Sequence, residues 1–416
     1  MKNINKIIYL SVSVALAAMS APAAAGGFGI GTQSGSGTGN AFAGGAAAAD
    51  DSSVAWYNPA AMTLLNTNRQ ATAAIHLVKP SFKFTNNGST GAFAAPGTGN
   101  GGDGGDWAAI PNGFYTMSVN PRLKFGLAVN VPFGLATEYD PGWRGRFSAV
   151  ESAIQALNIN PSLGYKVNDN FSIGGGISVQ HLKATLSGAS AAGLVTNKGD
   201  DIGFGYNFGI IAQLSPTTRL GATYRSEIDY SLEGTVTVSG LGAANGNIKA
   251  DIKVPDSASI SLFSTVSPKW ELMADITWTG WSNIQRLDII RTSASAGGAV
   301  GSTVSSLLFN WKDTVRFGVG ANYKLNEQTK LRFGVALDPT PTNDIDRTPR
   351  LPDQDRTWIA IGVQYKPSKQ GILDVGYAHE FVKDASIRTT VTGAGTLIGS
   401  FKNRADILSV QYSHAF

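Results

Sequence analysis

Cysteine is absent from the 416 residues, which excludes a disulfide framework and any thiolate metal site. Histidine is scarce, four in all at 76, 181, 379 and 414, and their separations match no metal-ligand pattern. Beyond residue 25 no apolar run approaches the ~18 residues that a membrane-crossing helix needs, so the chain is not a helical membrane protein. Charge imbalance is also missing. The formal net charge is +4, with Lys2 and Lys6 inside a segment that is expected to be removed, so the remainder is near neutral and nothing points to nucleic acid. Ser52-Ser53, the aspartates and the distant histidines form no catalytic constellation, and the chain reads as a non-enzyme without metal or cofactor.

Residues 1–25 read as a secretory signal peptide. Lys2 and Lys6 supply the positive region, Ile8 to Met19 the short apolar stretch, and Ala21, Ala23 and Ala25 the small residues before a cut near Ala24 or Ala25. Glycine then stands out at 50 residues, which disfavours long helices but suits a sheet with tight turns and close backbone approaches.

After residue 70 the dominant pattern is alternation, the signature of strands with one apolar face. Trp270, Leu272, Ala274, Ile276 and Trp278 share one face, against Glu271, Met273, Asp275 and Thr277. Val315, Phe317, Val319, Ala321 and Tyr323 form another row, and Leu373, Val375, Tyr377, His379 and Phe381 a third. Rows of this length ending in aromatic rings fit strands of ~9–11 residues spanning a bilayer between aromatic girdles. A sheet in hydrocarbon must close, because an open edge leaves backbone groups unpaired.

Strands are expected near 70–86, 107–119, 122–132, 152–166, 170–187, 201–215, 218–234, 248–266, 269–281, 312–326, 329–338, 355–367, 371–386 and 402–416, about fourteen in all. Short turns such as Asn120-Pro121-Arg122 and Ser267-Pro268 alternate with long connectors at 87–106, 133–151, 188–200, 235–247, 282–311, 339–354 and 387–401. This asymmetry predicts short turns on the periplasmic side and long loops outside. Leu408, Val410, Tyr412, His414 and Phe416 alternate to the last residue, as in the closing strand of an outer-membrane barrel. The fold class is therefore all-β, a transmembrane antiparallel barrel in the outer membrane of a Gram-negative envelope.

Residues 26 to about 65 do not alternate. A Gly/Ser/Ala-rich run to Gly45 carries Phe28, Ile30 and Phe42, and Ala41–Ala49 is permissive of one short helix. Trp56 and Tyr57 then precede Asn58-Pro59-Ala60. Small residues set with isolated apolar ones suggest a segment packed inside the lumen, since about fourteen strands enclose more space than one layer of side chains fills. A disordered leader outside the pore is the alternative.

These residues resemble the FadL/TodX family of outer-membrane transporters for long-chain fatty acids and other hydrophobic compounds. The likeness rests on Gly27-Phe28, Ala49-Asp50-Asp51 with Asn58-Pro59-Ala60, Gly134 to Tyr139 with Gly145-Arg146-Phe147, and Asn158 to Ser162. It continues through Asn310 to Thr314 with Arg316, and Arg347 to Asp353 with Asp355 to Trp358, so it covers nearly the whole mature chain.

The resemblance implies a monomeric fourteen-stranded barrel over 68–416 and a plug, the hatch, over 26–67 with Asn58, Pro59 and Ala60 as its motif. It also implies passive uptake of a fatty acid, alkane or monoaromatic molecule past the lipopolysaccharide. The route would run through an outer capture groove and an apolar luminal pocket, then sideways through a gap in the wall. Implied partners are the cargo, outer-membrane lipid and lipopolysaccharide, and the outer-membrane assembly machinery. Val131-Pro132 suits the wall interruption, because proline removes a ladder donor. Phe28, Ile30, Trp56 and Tyr57 are the hatch candidates for the pocket. Trp143, Phe147 and Val150 suit the outer groove, as does the loop with Leu307, Leu308 and Phe309, which could equally pack over the rim. Lys183 and Arg316 read as inward cations for a ligand head group, with Arg316 also placed to meet Asp313, Asp50 or Asp51. Arg347, Arg350, Asp353, Asp355 and Arg356 read as a charged lattice at the rim. A porin for polar solutes would need a lumen without a plug, and a surface adhesion barrel would carry its function in longer loops.

Overall fold

A computed structural model describes residues 26–416, so the expected signal peptide lies outside the described residues. Among the described residues, twenty strand segments build fourteen wall crossings, because six crossings are interrupted once. In chain order they are β1 (Arg69–Asn86), β2 (Ala108–Asn120), β3 (Leu123–Asn130, resuming at Gly134–Glu138), β4 (Glu151–Asn168), β5 (Phe171–Ser190) and β6 (Gly193–Ser215). Then follow β7 (Thr218–Arg225 and Ile228–Val238), β8 (Gly246–Val254 and Ser257–Thr265), β9 (Trp270–Thr279 and Arg286–Arg291) and β10 (Thr303–Leu308 and Thr314–Lys324). The last four are β11 (Thr329–Asp338), β12 (Arg356–Tyr365), β13 (Gly371–Val382 and Ala385–Val391) and β14 (Gly395–Ala415). All pairings are antiparallel, and β1 pairs with β14 from Gln70–Ala415 to Asn86–Gly399, which closes the barrel.

Alternation decides which way each side chain points. Phe204, Tyr206, Phe208 and Ile210 on β6 and Ile359, Ile361 and Val363 on β12 are exposed, a greasy outer surface facing lipid. The intervening row is buried and polar, with Asn130, Asn158, Asn160, Asn207, Asn322, Gln364, Ser409 and Gln411 turned into the lumen. His414 lies on the outer row between Tyr412 and Phe416, its ring 4.8 Å from that of Phe416.

Several strands run further at the long-loop end than alternation alone indicates. β6 begins at Gly193 and β14 at Gly395, and the expected loop 282–311 contains two paired segments, Arg286–Arg291 with Thr303–Leu308. Beyond the bilayer both faces meet water or protein, so the two-sided contrast that marks a membrane strand fades there.

Residues 26–65 are mostly buried and meet the wall's inner row, Gly35 at Gln411, Asn40 at Asn322 and Asn58 at the Ile210 carbonyl. Ser34 caps helix α1 (Gly35–Thr38) through its side-chain oxygen. The expected helix over Ala41–Ala49 does not form, because Ala41 and Phe42 take left-handed backbone (φ 48° and 59°) and the chain turns instead. Helix α2 (Val54–Tyr57) leads to Asn58, whose carboxamide oxygen accepts from Ala60 N and caps a 3-10 helix at Pro59–Leu64. Proline is compatible with that first turn, where its missing N–H would be unpaired anyway.

Candidate functional site: a hatch-capped luminal cavity

The wall makes room for the hatch with glycine. A Cβ on Gly209 would lie 2.0 Å from the Asn58 carboxamide oxygen, one on Gly174 2.4 Å from Ala60 N, and one on Gly221 2.0 Å from the Ala46 carbonyl. Through that opening Asn58 Nδ2 donates to Ala46 O at 2.7 Å and to Ile210 O at 2.9 Å, joining hatch to hatch and hatch to wall.

A charge network fixes the other side. Arg332 on β11 is buried and reaches Asp50 at 2.8 Å and Asp374 at 3.0 Å, while Lys330 lies 3.7 Å from Asp50. Burial opposes ionisation of Asp50, but Lys330 and Arg332 outweigh it and hold the carboxyl well below the usual carboxylate range. Asp51 accepts from Ser36 at 2.7 Å and from Gln411 at 2.8 Å.

At the start of the hatch, Phe28 is enclosed by aromatic rings. Its centroid lies 5.1 Å from Trp281, 5.7 Å from Trp311 and 5.8 Å from Phe133. Gly27 reaches this position with φ +65°, where a Cβ would meet Trp281 at 2.9 Å. Its N–H donates to Asp353 at 3.0 Å, and Asp353 in turn pairs with Arg356.

The ladder between β2 and β3 stops at the pair Gly113–Val129. Residues 131–133 lie outside the strand segments, and the N-terminal segment shares their bonding with Ala156 and Asn112 of the wall. Ile30 N donates to Pro132 O at 2.8 Å and Gly134 N to Phe28 O at 2.9 Å. Gln33 spans the break. Its Nε2 donates to Val131 O at 2.9 Å, its side-chain oxygen accepts from Asn130 at 2.6 Å, and its backbone carbonyl accepts from Asn112 on β2 at 3.0 Å. Val131-Pro132 therefore stands at the interruption.

Between hatch and wall lies a cavity of about 260 Å³. Ile30, Trp56 and Tyr57 line it from the hatch, Pro132 and Phe133 from the break, and Trp281 and Trp358 from elsewhere in the barrel. Even with the hatch seated its volume approaches the roughly 300–1,000 Å³ of small-molecule sites. Four charged side chains reach it, Arg225, Arg316, Asp275 and Asp338.

Not every expected site residue comes to this place. Arg316 does, but its partner is Asp275 at 3.7 Å, with a further bond to Ala41 O, rather than Asp313, Asp50 or Asp51. Lys183 does not, because on β5 it shares the outward row with Ile177 while Leu182 is buried. Trp143 and Val150 are buried, and Trp143 stacks on Tyr139 at 4.3 Å. Phe147 packs against the same cluster as Trp143, with Phe82, Phe84, Phe93 and Phe401. Leu307 and Phe309 pack against the upper wall, whereas Leu308 faces out, 48% exposed. Of the charged residues expected at the rim, Arg356 pairs with Asp353, Arg347 binds Asp344 at 2.6 Å and Asp355 meets Lys383 at 3.1 Å, while Arg350 bonds the neutral Ser152 at 3.0 Å. Gln33, Asn112, Arg225, Trp281 and Trp311 were not singled out by pattern. Trp281 and Trp311 flank interruptions where alternation lapses, and Arg225 ends a half-strand.

The family model for the outer membrane protein transport protein family (OMPP1/FadL/TodX) matches residues 15–416. The chain belongs to this family. It is thus an outer-membrane protein of a transport family. A protein of Neisseria meningitidis serogroup B, named for the outer membrane, is 30% identical, with 89% of this chain and 91% of that one covered. The long-chain fatty acid transport protein of Escherichia coli O6:H1 is 26% identical, over 90% of this chain and 91% of its own. The crystal structure of a Pseudomonas aeruginosa FadL homologue superposes with a TM-score of 0.86 at 28% identity, covering 94% of this chain and all of that one (100%).

Proposed function

We propose that the chain carries hydrophobic molecules, of the fatty acid, alkane or monoaromatic kind, passively across the outer membrane. The cargo occupies the luminal cavity and leaves sideways through the break between β2 and β3 when the hatch residues at that break move. The observation that carries this reading is shared ownership. Ile30 and Gln33 both border the cavity and supply hydrogen bonds at the break. A shift of this one segment would therefore enlarge the pocket and free the wall together.

Diffusion through an open aqueous pore would give an apolar solute no reason to leave a greasy site for water. A lateral exit delivers it into hydrocarbon. Each buried CH₂ contributes ~0.8 kcal/mol, so ten methylenes would hold a ligand by ~8 kcal/mol before ordering costs. Such a ligand escapes only in stages or when the pocket changes shape, which gives the hatch its role. The long-chain fatty acid transport proteins among its relatives support a cargo of this class.

Deletion of the gene should slow uptake of a hydrophobic compound and leave uptake of small sugars unchanged. Equal loss of both would overturn the reading in favour of a general pore.

A further inference from the structure

We infer that an outward patch of cations across the closing seam, Lys83 on β1 with Lys402 and Arg404 on β14, binds the phosphate groups of lipopolysaccharide in the outer leaflet. This surface is on the outside of the wall, so its role is independent of what the lumen carries.

Register brings the three cations together. Lys83 and Lys402 are direct partners in the ladder between β1 and β14, and Arg404 is the partner of Ser81 further along the same ladder. All three lie on the outward row and are exposed. Like charges placed directly opposite one another in a sheet repel, so this pairing is unfavourable until an anion sits between them. Among the described residues, Lys402 and Arg404 have neither a carboxylate within ion-pair distance nor a side-chain hydrogen bond. Lys83 has Asp103 at 3.9 Å, but that carboxylate already accepts from Ser81 Oγ and Phe82 N at 2.7 Å and from Gly105 N at 3.1 Å. Asp406, next along the row, is turned to β13, where it bonds Tyr377 and His379 at 2.7 Å each. Three other exposed cations towards the long loops carry their own anions, Lys79 with Asp106 at 3.1 Å, Lys253 with Asp229 at 2.9 Å and Lys383 with Asp355 at 3.1 Å.

Height selects the partner. Beyond Asp406 the outward row of β14 is apolar, with Leu408, Val410 and Tyr412 exposed to lipid, and exposed Phe381 of β13 stands opposite Arg404. From Tyr412 to Arg404, at ~3.4 Å per residue and a tilt of ~40°, the strand climbs about 21 Å, most of the ~25 Å apolar band of an outer-membrane barrel. The cations therefore stand where the greasy band ends on the long-loop side, the level of the outer leaflet's head groups. Lipopolysaccharide offers acyl chains to the apolar row and phosphates to the cations at that level. Two phosphate oxygens match the fork of the Arg404 guanidinium, and Lys83 and Lys402 supply point charges from both sides of the seam. One anion held by both strands relieves the repulsion between Lys83 and Lys402 and ties the first crossing to the last.

The test uses the full chain in a non-ionic detergent. The probes are rough lipopolysaccharide, the same lipopolysaccharide stripped of phosphate, and phosphatidylglycerol. Native mass spectrometry reads binding, and the temperature at which heat-modifiable gel mobility is lost reads stability. The wild type should prefer intact over dephosphorylated lipopolysaccharide by at least about thirtyfold. Lys402→Ser combined with Arg404→Ser should weaken binding of the intact form about thirtyfold, at ~1 kcal/mol for each cation. Without lipid this double variant should unfold no lower than the wild type, because a repulsion has been removed. With intact lipopolysaccharide the wild type should gain in unfolding temperature and the double variant should gain little. Lys366→Ser with Lys369→Ser, exposed cations at the short-turn end, is the control and should bind as the wild type does. Equal binding of the two lipopolysaccharide forms, equal weakening in the control variant, or phosphatidylglycerol bound as tightly as lipopolysaccharide would overturn the assignment. So would a double variant that unfolds at a lower temperature without lipid yet binds lipopolysaccharide undiminished, since the cations would then serve the wall alone.

Discussion

Asn58 Oδ1 occupies space that any side chain on Gly209 would take, lying 2.0 Å from where a Cβ would stand. The hatch motif and the wall thus fit by subtraction, glycine on one partner and carboxamide on the other. Asn58→Ala removes the donors to Ala46 O and Ile210 O, which should loosen the hatch by about 1–3 kcal/mol. Gly209→Leu should displace the same residues by bulk. Transport should fall in both, with heat-modifiable mobility retained because the wall ladders are untouched. Loss of the folded barrel in Asn58→Ala would mean that the motif serves wall assembly rather than hatch position.

Gln33 is the second point of leverage. Gln33→Ala removes its side-chain bonds to Val131 O and to Asn130 but spares the backbone bonds at Ile30 and Gly134. Amide hydrogen exchange should quicken at Ile30 and Gly134, which share that break, and remain slow in the β1–β14 ladder. Unchanged exchange at these two amides would show that the backbone bonds alone hold the break shut.

Arg332 anchors the hatch by charge. It is enclosed by Asp50 and Asp374, and removing one member of a buried network leaves the others uncompensated, at a cost of about 3–5 kcal/mol. Arg332→Met should release the hatch, and the effect of added salt on the wild type should be small because the network is shielded. The described hatch, residues 26–67, contains neither lysine nor arginine, so chymotrypsin, which can cut at Phe28, Phe42, Trp56 and Tyr57, is the protease to use. Equal chymotrypsin resistance in wild type and Arg332→Met would rule out this anchor.

The barrel was legible because its physics is periodic. Lipid on one side and lumen on the other impose a two-residue repeat, and Trp270 to Trp278 or Leu373 to Phe381 show it directly. The excess of glycine was legible as close approach, and Gly174, Gly209 and Gly221 are where the approach occurs. The site was less legible because it lies where the repeat stops. Lys183 reads as inward by pattern, yet the row through Ile177 places it outside. Trp143 suits an outer groove by sequence, and tertiary packing on Tyr139 and Phe84 buries it. Gln33 and Arg225 have no period to betray them, since their roles come from residues distant in sequence, Val131 and Trp56.

Borrowing at the break between β2 and β3 has a consequence for the closed barrel. Phe28 and Ile30 provide bonds to residues 132–134 that a neighbouring strand would otherwise supply. The first described residues and the third crossing are then bonded to each other although about a hundred residues separate them. Unseating the leader would therefore leave backbone groups at the break without partners even after β1 and β14 have met.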